Sequence, residues 1–269
     1  VANSTVTALT LPFAPMMHEA HRHPTGNPTL PAALPASGLV LRGTHSTVRV
    51  RQWPAAPTTA LLVMYQQTLP PTTDDLERWC DELRQRGFRT VRTSALANAA
   101  SVRVESIGFH VVQRLVLLEH HQPAAAPAPT VATSRLLVGH DLAASTVDRA
   151  AFGAEWALDP AAVGDVRHAT PRHRARATLD AGDAVTAYAI TGRDARLGFL
   201  QRLAVHPDQQ RQGLGLALVH DSLRWLARWR VQRVLVNTPV DNEPALALYE
   251  RTGFERLPDG LRVYERSLT

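Results

Sequence analysis

The segment of residues 200–219, LQRLAVHPDQQRQGLGLALV, does most to restrict what this chain can fold into. Leu203, Ala204 and Val205 end an apolar strand, Pro207 and Asp208 interrupt it, and Gln210, Arg211, Gln212, Gly213, Leu214, Gly215 and Leu216 open an amphipathic helix. A strand that runs through a glycine-containing turn into a helix gathers backbone N–H groups and the positive end of the helix dipole at one place. The glycines let a ligand approach the backbone closely. The expected ligand is a pyrophosphate.

Two known phosphate loops do not match. A Walker loop needs Lys and then Ser or Thr after its last glycine, and here Leu216 and Ala217 follow. A dinucleotide fingerprint needs three glycines at GxGxxG spacing and an acidic residue about twenty positions on, which this segment lacks.

A second motif lies downstream. Residues 242–254 read NEPALALYERTGF, with Ala245, Leu248 and Tyr249 at helical spacing and Gly253 where a helix would end. The first segment resembles the Q/R-x-x-G-x-G/A signature of the GNAT acetyltransferase superfamily, and the second resembles that family's N-x-x-A-x-x-L-Y-x-x-x-G-F signature, in the same order. The resemblance covers residues 132–269, where apolar runs and turn residues predict a first strand over residues 134–139 and a final hairpin over residues 254–265. It implies an α/β fold, the GNAT acyl-CoA N-acyltransferase fold, with a mixed, splayed central sheet flanked by helices.

The resemblance also implies a reaction: acetyl transfer from acetyl-CoA to a primary amine by direct attack, with acetyl-CoA as acyl-donor cosubstrate and no metal. It places the pantetheine arm along Leu203, Ala204 and Val205 and the pyrophosphate over Gln210, Arg211, Gln212, Gly213, Leu214, Gly215 and Leu216. A backbone N–H near Leu203 is the expected donor to the thioester oxygen. Tyr249 is the general acid for the leaving thiolate, or else an aromatic core residue. Asn242 is a cofactor or substrate contact, a helix N-cap, or both. The general base stays open: many relatives carry a glutamate on the strand before the loop, where this chain has Gln201 and Arg202. Glu155, Asp159 and His206 are conceivable, as are a water chain and an amine already deprotonated. The catalytic half resembles acetyltransferases of ribosomal-protein N-termini and the tandem organisation resembles mycothiol synthase, so the acceptor also stays open. A non-catalytic acyl-CoA-binding sensor or scaffold is the alternative.

The formal charge of +5 comes from arginine alone, since the chain has no lysine. That composition fits a GC-rich bacterial genome, and the arginines are dispersed rather than interleaved with aromatics, so no nucleic-acid partner is expected. No run of about eighteen apolar residues suggests a membrane span. The N-terminus shows no secretory pattern, and the single cysteine, Cys80, fits a reducing compartment, so the expected setting is the cytoplasm. Oligomeric state cannot be read.

Residues 1–36 read as a disordered tail whose His18, His21 and His23 lack the partners of a metal site, and residues 122–131 as a stiff Pro/Ala linker. Between them, residues 37–121 echo the catalytic domain of residues 132–269. Ser106, Ile107, Gly108 and Phe109 match Arg251, Thr252, Gly253 and Phe254 at a constant offset of 145, as 254 − 109 gives. This first copy is expected to be degenerate: LPPTTDD, with no glycine and with Asp74 and Asp75 facing where phosphate would bind, stands where the glycine loop should be, and Val104 where Tyr249 should be.

Overall fold

The computed structural model describes residues 31, 32, 34, 35, 38–64 and 70–269, so residues 1–30 of the tail, with its histidines, lie outside the described residues. Near the end of that tail Pro31 is buried, Ala32 N–H donates to the Arg86 carbonyl and Leu34 packs on the first core, so this part is not a disordered tail. In chain order the elements are β1 (Leu39–Arg42), β2 (Thr47–Trp53), β3 (Ala56–Met64), α1 (Thr73–Gln85), β4 (Thr90–Thr93), α2 (Asn98–Ser106) and β5 (His110–His120). Then follow β6 (Ser134–Arg135), α3 (Asp141–Trp156), α4 (Pro160–His168), β7 (Arg172–Leu179), β8 (Val185–Asp194) and β9 (Leu197–Val205). The chain ends with α5 (Leu214–Arg228), β10 (Arg233–Pro239), α6 (Glu243–Arg251), β11 (Glu255–Arg256) and β12 (Leu261–Ser267).

These elements form two compact units. The first takes the described residues up to Leu115 together with Asp259–Thr269, and the second is Val116–Pro258. In the first, the strand order is β1, β2, β3, β4, β12 and the early part of β5, with β3 and β4 parallel. Its helix α1 starts at a capping box in which Thr72 and Asp75 bond reciprocally, and it buries Leu76, Trp79, Cys80 and Leu83 at helical spacing. In the second, the order is β6, β7, β8, β9, β10 and the late part of β5, with β11 also on β5. Helix α5 buries Leu218, Val219, Leu223 and Leu226 on one face of this sheet. Helices α3 and α4 supply Ala144, Val147, Phe152, Val163 and Val166 to a second cluster with Tyr188, Ile190 and Ala204.

Three further expectations are revised. A final hairpin over residues 254–265 does not form, because β11 and β12 both pair antiparallel with β5 rather than with each other. Leu257 N–H bonds the Leu117 carbonyl, and Gly260 lies so near the Leu115 carbonyl that an added Cβ would sit 2.4 Å from it. The Pro-Asp-Gly turn therefore kinks the chain along β5 without reversing it, and β12 enters the first unit, so the two units do not divide at the Pro/Ala run. That run is no free spacer either: Pro123 and Ala126 are buried, and Ala126 joins the cluster beneath α5. The strand expected over residues 134–139 shrinks to β6, because residues 138–140 wind into a 3₁₀ turn.

Candidate functional site

Strand β9 is paired along its length with β8 but meets β10 at only three positions, Leu197 with Arg233, Gly198 with Val234 and Phe199 with Leu235. Past these the two parallel strands part. His206 N–H donates to the Thr186 carbonyl on the β8 side, so alternation along β9 turns the backbone groups of Leu203 and Val205 away from β8, into the gap. The Val205 carbonyl there accepts the Gln210 side chain at 3.4 Å. Ala204 lies in the same stretch with its backbone turned to β8 and its side chain in the core under α3. Because Ile190 faces Arg202 while Thr191 faces Leu200, Gln201 is the extra residue of a β-bulge.

Beyond β9 the chain makes the turn expected of it. His206 accepts from the Asp208 N–H, a short 3₁₀ turn follows, and Arg211 and Gly213 take left-handed conformations at φ 61° and 80°. Gly213 is the N-cap of α5 and offers it no side-chain bond, whereas α1, α4 and α6 are capped by Thr72, Asp159 and Asn242. The first intrahelical donor is Ala217, which bonds the Gly213 carbonyl at 2.9 Å. The N–H groups of Leu214, Gly215 and Leu216 thus belong to the helix-start donors that a cap or ligand must satisfy. An added Cβ at Gly213 would meet nothing within 4 Å, while at Gly215 it would stand 3.2 Å from Leu248. The first glycine leaves room beside the donors; the second lets α6 close on α5. Gln212 and Gln210 lie exposed on the same turn.

Asn242 caps α6 by accepting from Ala245 N–H at 3.2 Å. Tyr249, only 4% exposed, belongs to the core cluster beside Leu246 and Phe254, its ring centroid 5.7 Å from that of Phe254. Burial pushes its hydroxyl pKa well above the ordinary phenol range, with the positive charge of Arg202 opposing. The side chain is a core aromatic that also keeps its proton at neutral pH. At the position matched to it in the first unit, Val104 is buried in an apolar cluster.

The base candidates are occupied elsewhere. Asp159 caps α4 through Ala162 N–H at 2.7 Å, His206 caps the 3₁₀ turn, and Glu155 is exposed near the end of α3. Arg202 is fully buried in a bidentate pair with Asp148 of α3, at 2.8 and 2.5 Å. Tyr188 donates to the same carboxylate at 2.5 Å, Leu158 N–H does so at 2.7 Å, and the guanidinium stacks over Phe152 at 3.9 Å. Burial works against the Arg202 charge, but the Asp148 carboxylate outweighs it and holds the pKa above its ordinary value. Sequence reasoning missed this network. Its signal was a lone charge in each of two apolar stripes, Asp148 among Ala144, Val147 and Ala151, and Arg202 among Leu200, Leu203 and Ala204.

In the first unit the equivalent helix start is filled by the chain itself. Both acidic residues of LPPTTDD were expected to face a phosphate position, but only Asp74 is exposed. Asp75 turns inward and accepts from Thr44 N–H at 2.9 Å and from Arg78 at 2.8 Å, besides closing its own capping box. Burial would raise its pKa, yet the Thr44 and Thr72 donors outweigh that and hold it below the usual value. Among the described residues no group of three His, Cys, Asp or Glu side chains could hold a metal ion, and no helix is long and apolar enough to cross a membrane.

Two parallel strands that part beside a glycine-capped helix, inside a mixed sheet with helices on both faces, make up the GNAT fold. Residues 149–254 match the acetyltransferase (GNAT) family, and the chain carries a GNAT acetyltransferase domain there. A mycothiol acetyltransferase of Kocuria rhizophila is 39% identical over 66 residues, which is 24% of this chain and 22% of that protein. N-alpha-acetyltransferase 30 of Schizosaccharomyces pombe is 34% identical over 67 residues, 25% of this chain and 45% of that protein. The chain therefore spans less than half the length of these curated relatives. Over longer stretches the likeness is one of fold. A tandem GNAT protein from the clavulanic acid biosynthesis pathway matches at TM-score 0.60 and 15% identity, covering 83% of this chain and 79% of that one. A GCN5-related N-acetyltransferase from Kribbella flavida matches at 0.54 and 14%, covering 85% and 89%.

Proposed function

We propose that this protein transfers an acetyl group from acetyl-CoA to a primary amine, of a small molecule or a protein N-terminus, in the cytoplasm of a bacterium. The observation that carries the reading is the α5 start, whose cap has no side chain to satisfy its donors and opens on free space beside the gap between β9 and β10. Gln210 to Leu216 would hold the pyrophosphate, and the free backbone edge of Leu203 and Val205 would take the pantetheine arm as an added strand. The acetyl thioester supplies an activated acyl carbon and a thiolate leaving group. Leu203 N–H donates to the oxygen that becomes negative as the amine attacks that carbon. As the carbon–sulfur bond breaks, the Tyr249 hydroxyl donates a hydrogen bond to the sulfur, while the nitrogen gives up its proton to solvent. A phenol with a raised pKa suits hydrogen-bond donation better than outright proton transfer. The mycothiol acetyltransferase match supports a small cysteinyl amine as acceptor, and the N-alpha-acetyltransferase match supports a protein N-terminus.

Acetyl-CoA at a hundred times its Kd is expected to stabilise the protein by about 2.7 kcal/mol, seen as a raised melting temperature. Gly213→Asp should abolish that rise, because it strains a left-handed position and sets a carboxylate against phosphate. An unshifted parent protein with every acyl-CoA tried would end the cofactor assignment.

Calorimetry on the full chain should count one CoA per chain, with no binding left in the Gly213→Asp variant. In the first unit the Asp75 N–H at the α1 start is engaged by the Thr72 side chain, Asp74 sets an exposed carboxylate in the first turn, and Pro70 and Pro71 lack N–H groups altogether. The full chain is the material for this test, since a fragment ending near His121 would lose β12, the strand paired with both β4 and β5. A second CoA site would overturn the degenerate-copy reading.

A further inference from the structure

Several local choices that oppose folding meet in the second unit where β8 turns into β9 and α5 turns into β10. Arg172 and Arg193 stand directly opposite each other on β7 and β8, and like charges so placed repel. Arg193 also faces Gly198, which lies against Leu226 and Val231, so this pair is on the α5 side of the sheet. Trp229, just past α5, is 53% exposed, and the Arg193 guanidinium stacks over its ring at 4.3 Å. Arg230 is left-handed at φ 54°, in the place after a helix where glycine is usual, and its N–H and that of Val231 close the turn on the Ala227 and Leu226 carbonyls. Ala195 is left-handed too, at φ 47°, in the short turn between Asp194 and Leu197. The two turns are tied together, since Gln232 N–H donates to the Arg196 carbonyl at 2.9 Å. Residues held against their local preference point to a surface kept for something other than stability.

Charge says what that is. Arg172, Arg196, Arg228 and Arg230 are exposed, and Asp194 is the single carboxylate within residues 193–196 and 228–232. Neighbouring arginines of the same sheet are neutralised, Arg174 by Asp221 and Arg233 by Glu119. Arg193, held on the indole, gives one N–H to the Ala195 carbonyl at 3.4 Å and keeps a buried Nε without a partner. The surface therefore suits an anion. A bilayer anchor needs several exposed apolar side chains to insert, and among the described residues of these turns Trp229 is the one large apolar side chain exposed. A single strand of nucleic acid needs a groove of successive open aromatic faces, whereas here one face of one indole is taken by Arg193. An acidic protein segment fits better: guanidinium forks take carboxylates bidentately, and tryptophan ringed by arginine is the composition of an interface hot spot. Strand β9, residues 197–205, separates this surface from the Gly213 turn by about 25 Å, so a partner bound here leaves the cofactor site open.

We propose that this surface docks an acidic segment of a partner protein, its carboxylates on Arg172, Arg193, Arg196 and Arg230 and an apolar side chain against Trp229. Binding alone tests it, so it stands apart from the acetyl-transfer reading. The probe is a fluorescein-labelled Glu-Asp-Glu-Leu-Glu-Asp-Glu peptide, titrated with the full chain by fluorescence anisotropy beside the same peptide carrying Gln and Asn for Glu and Asp. The acidic peptide should bind at least about tenfold more tightly than the amide one, and its Kd should rise with salt. Arg196→Gln and Trp229→Ala should each weaken it about threefold to tenfold. Arg230→Gly should weaken it as much while the melting temperature stays level or rises, because glycine relieves the left-handed residue. Equal binding of the two peptides, or the parent's Kd in all three variants, would overturn the proposal. So would a lowered melting temperature that accompanies every loss of binding. Tighter binding of an oligothymidylate of similar length, or of phosphatidylserine vesicles, would overturn it in favour of nucleic acid or membrane. Self-association in sedimentation that the same variants abolish would overturn it in favour of a second copy of this chain.

Discussion

Replacing Tyr249 with Phe is expected to lower turnover about a hundredfold, or about 2.7 kcal/mol of barrier, while the Kd for acetyl-CoA stays nearly unchanged. The substitution removes one hydroxyl and keeps the ring that packs on Phe254 and Leu246. Folding stability should therefore survive, and the loss should appear in kcat rather than in cofactor binding. Steady-state kinetics with calorimetry and denaturant unfolding on the same variant separate the outcomes. Parallel losses of stability and affinity would make Tyr249 a packing residue. Undiminished turnover would mean that water alone serves the departing thiolate.

The largest stability effect is expected at Asp148. Truncation to Ala would leave the Arg202 guanidinium, the Tyr188 hydroxyl and the Leu158 N–H without their shared acceptor in a fully buried place. Breaking a buried pair from one side costs about 3–5 kcal/mol, because the remaining charge is neither solvated nor paired. Urea unfolding of the full chain would measure this as a lowered midpoint. The double variant Asp148→Leu with Arg202→Met should be less destabilised than Asp148→Ala, since no charge stays behind. If the two losses simply added, the carboxylate would contribute by something other than neutralising Arg202.

Features carried by local chemistry were legible in the chain. The strand end at Leu203 to Val205, the Pro207 break, the left-handed Gly213 and the α5 face of Val219, Leu223 and Leu226 follow from periodicity and turn residues, which act over a few positions. The Asn242 cap and the Gly253 stop were legible for the same reason.

Other features depend on which distant segments meet. Nothing near Pro258 tells that residues 255–267 will run along β5, because the choice between a hairpin and a kink lies in the partner strand and in the space Gly260 leaves beside the Leu115 carbonyl. Nothing near Arg202 tells that it pairs with Asp148, 54 positions away, and so cannot act on substrate as a free cation. Nor does the residue order show that Gln201 and Asn237 are buried with open amide oxygens. By itself the sequence determined the glycine-containing turn after β9, the helices that flank it and the family resemblance these carry. Only the tertiary structure decided which polar groups are already satisfied and which stay open, because desolvation and pairing depend on neighbours far apart in the chain.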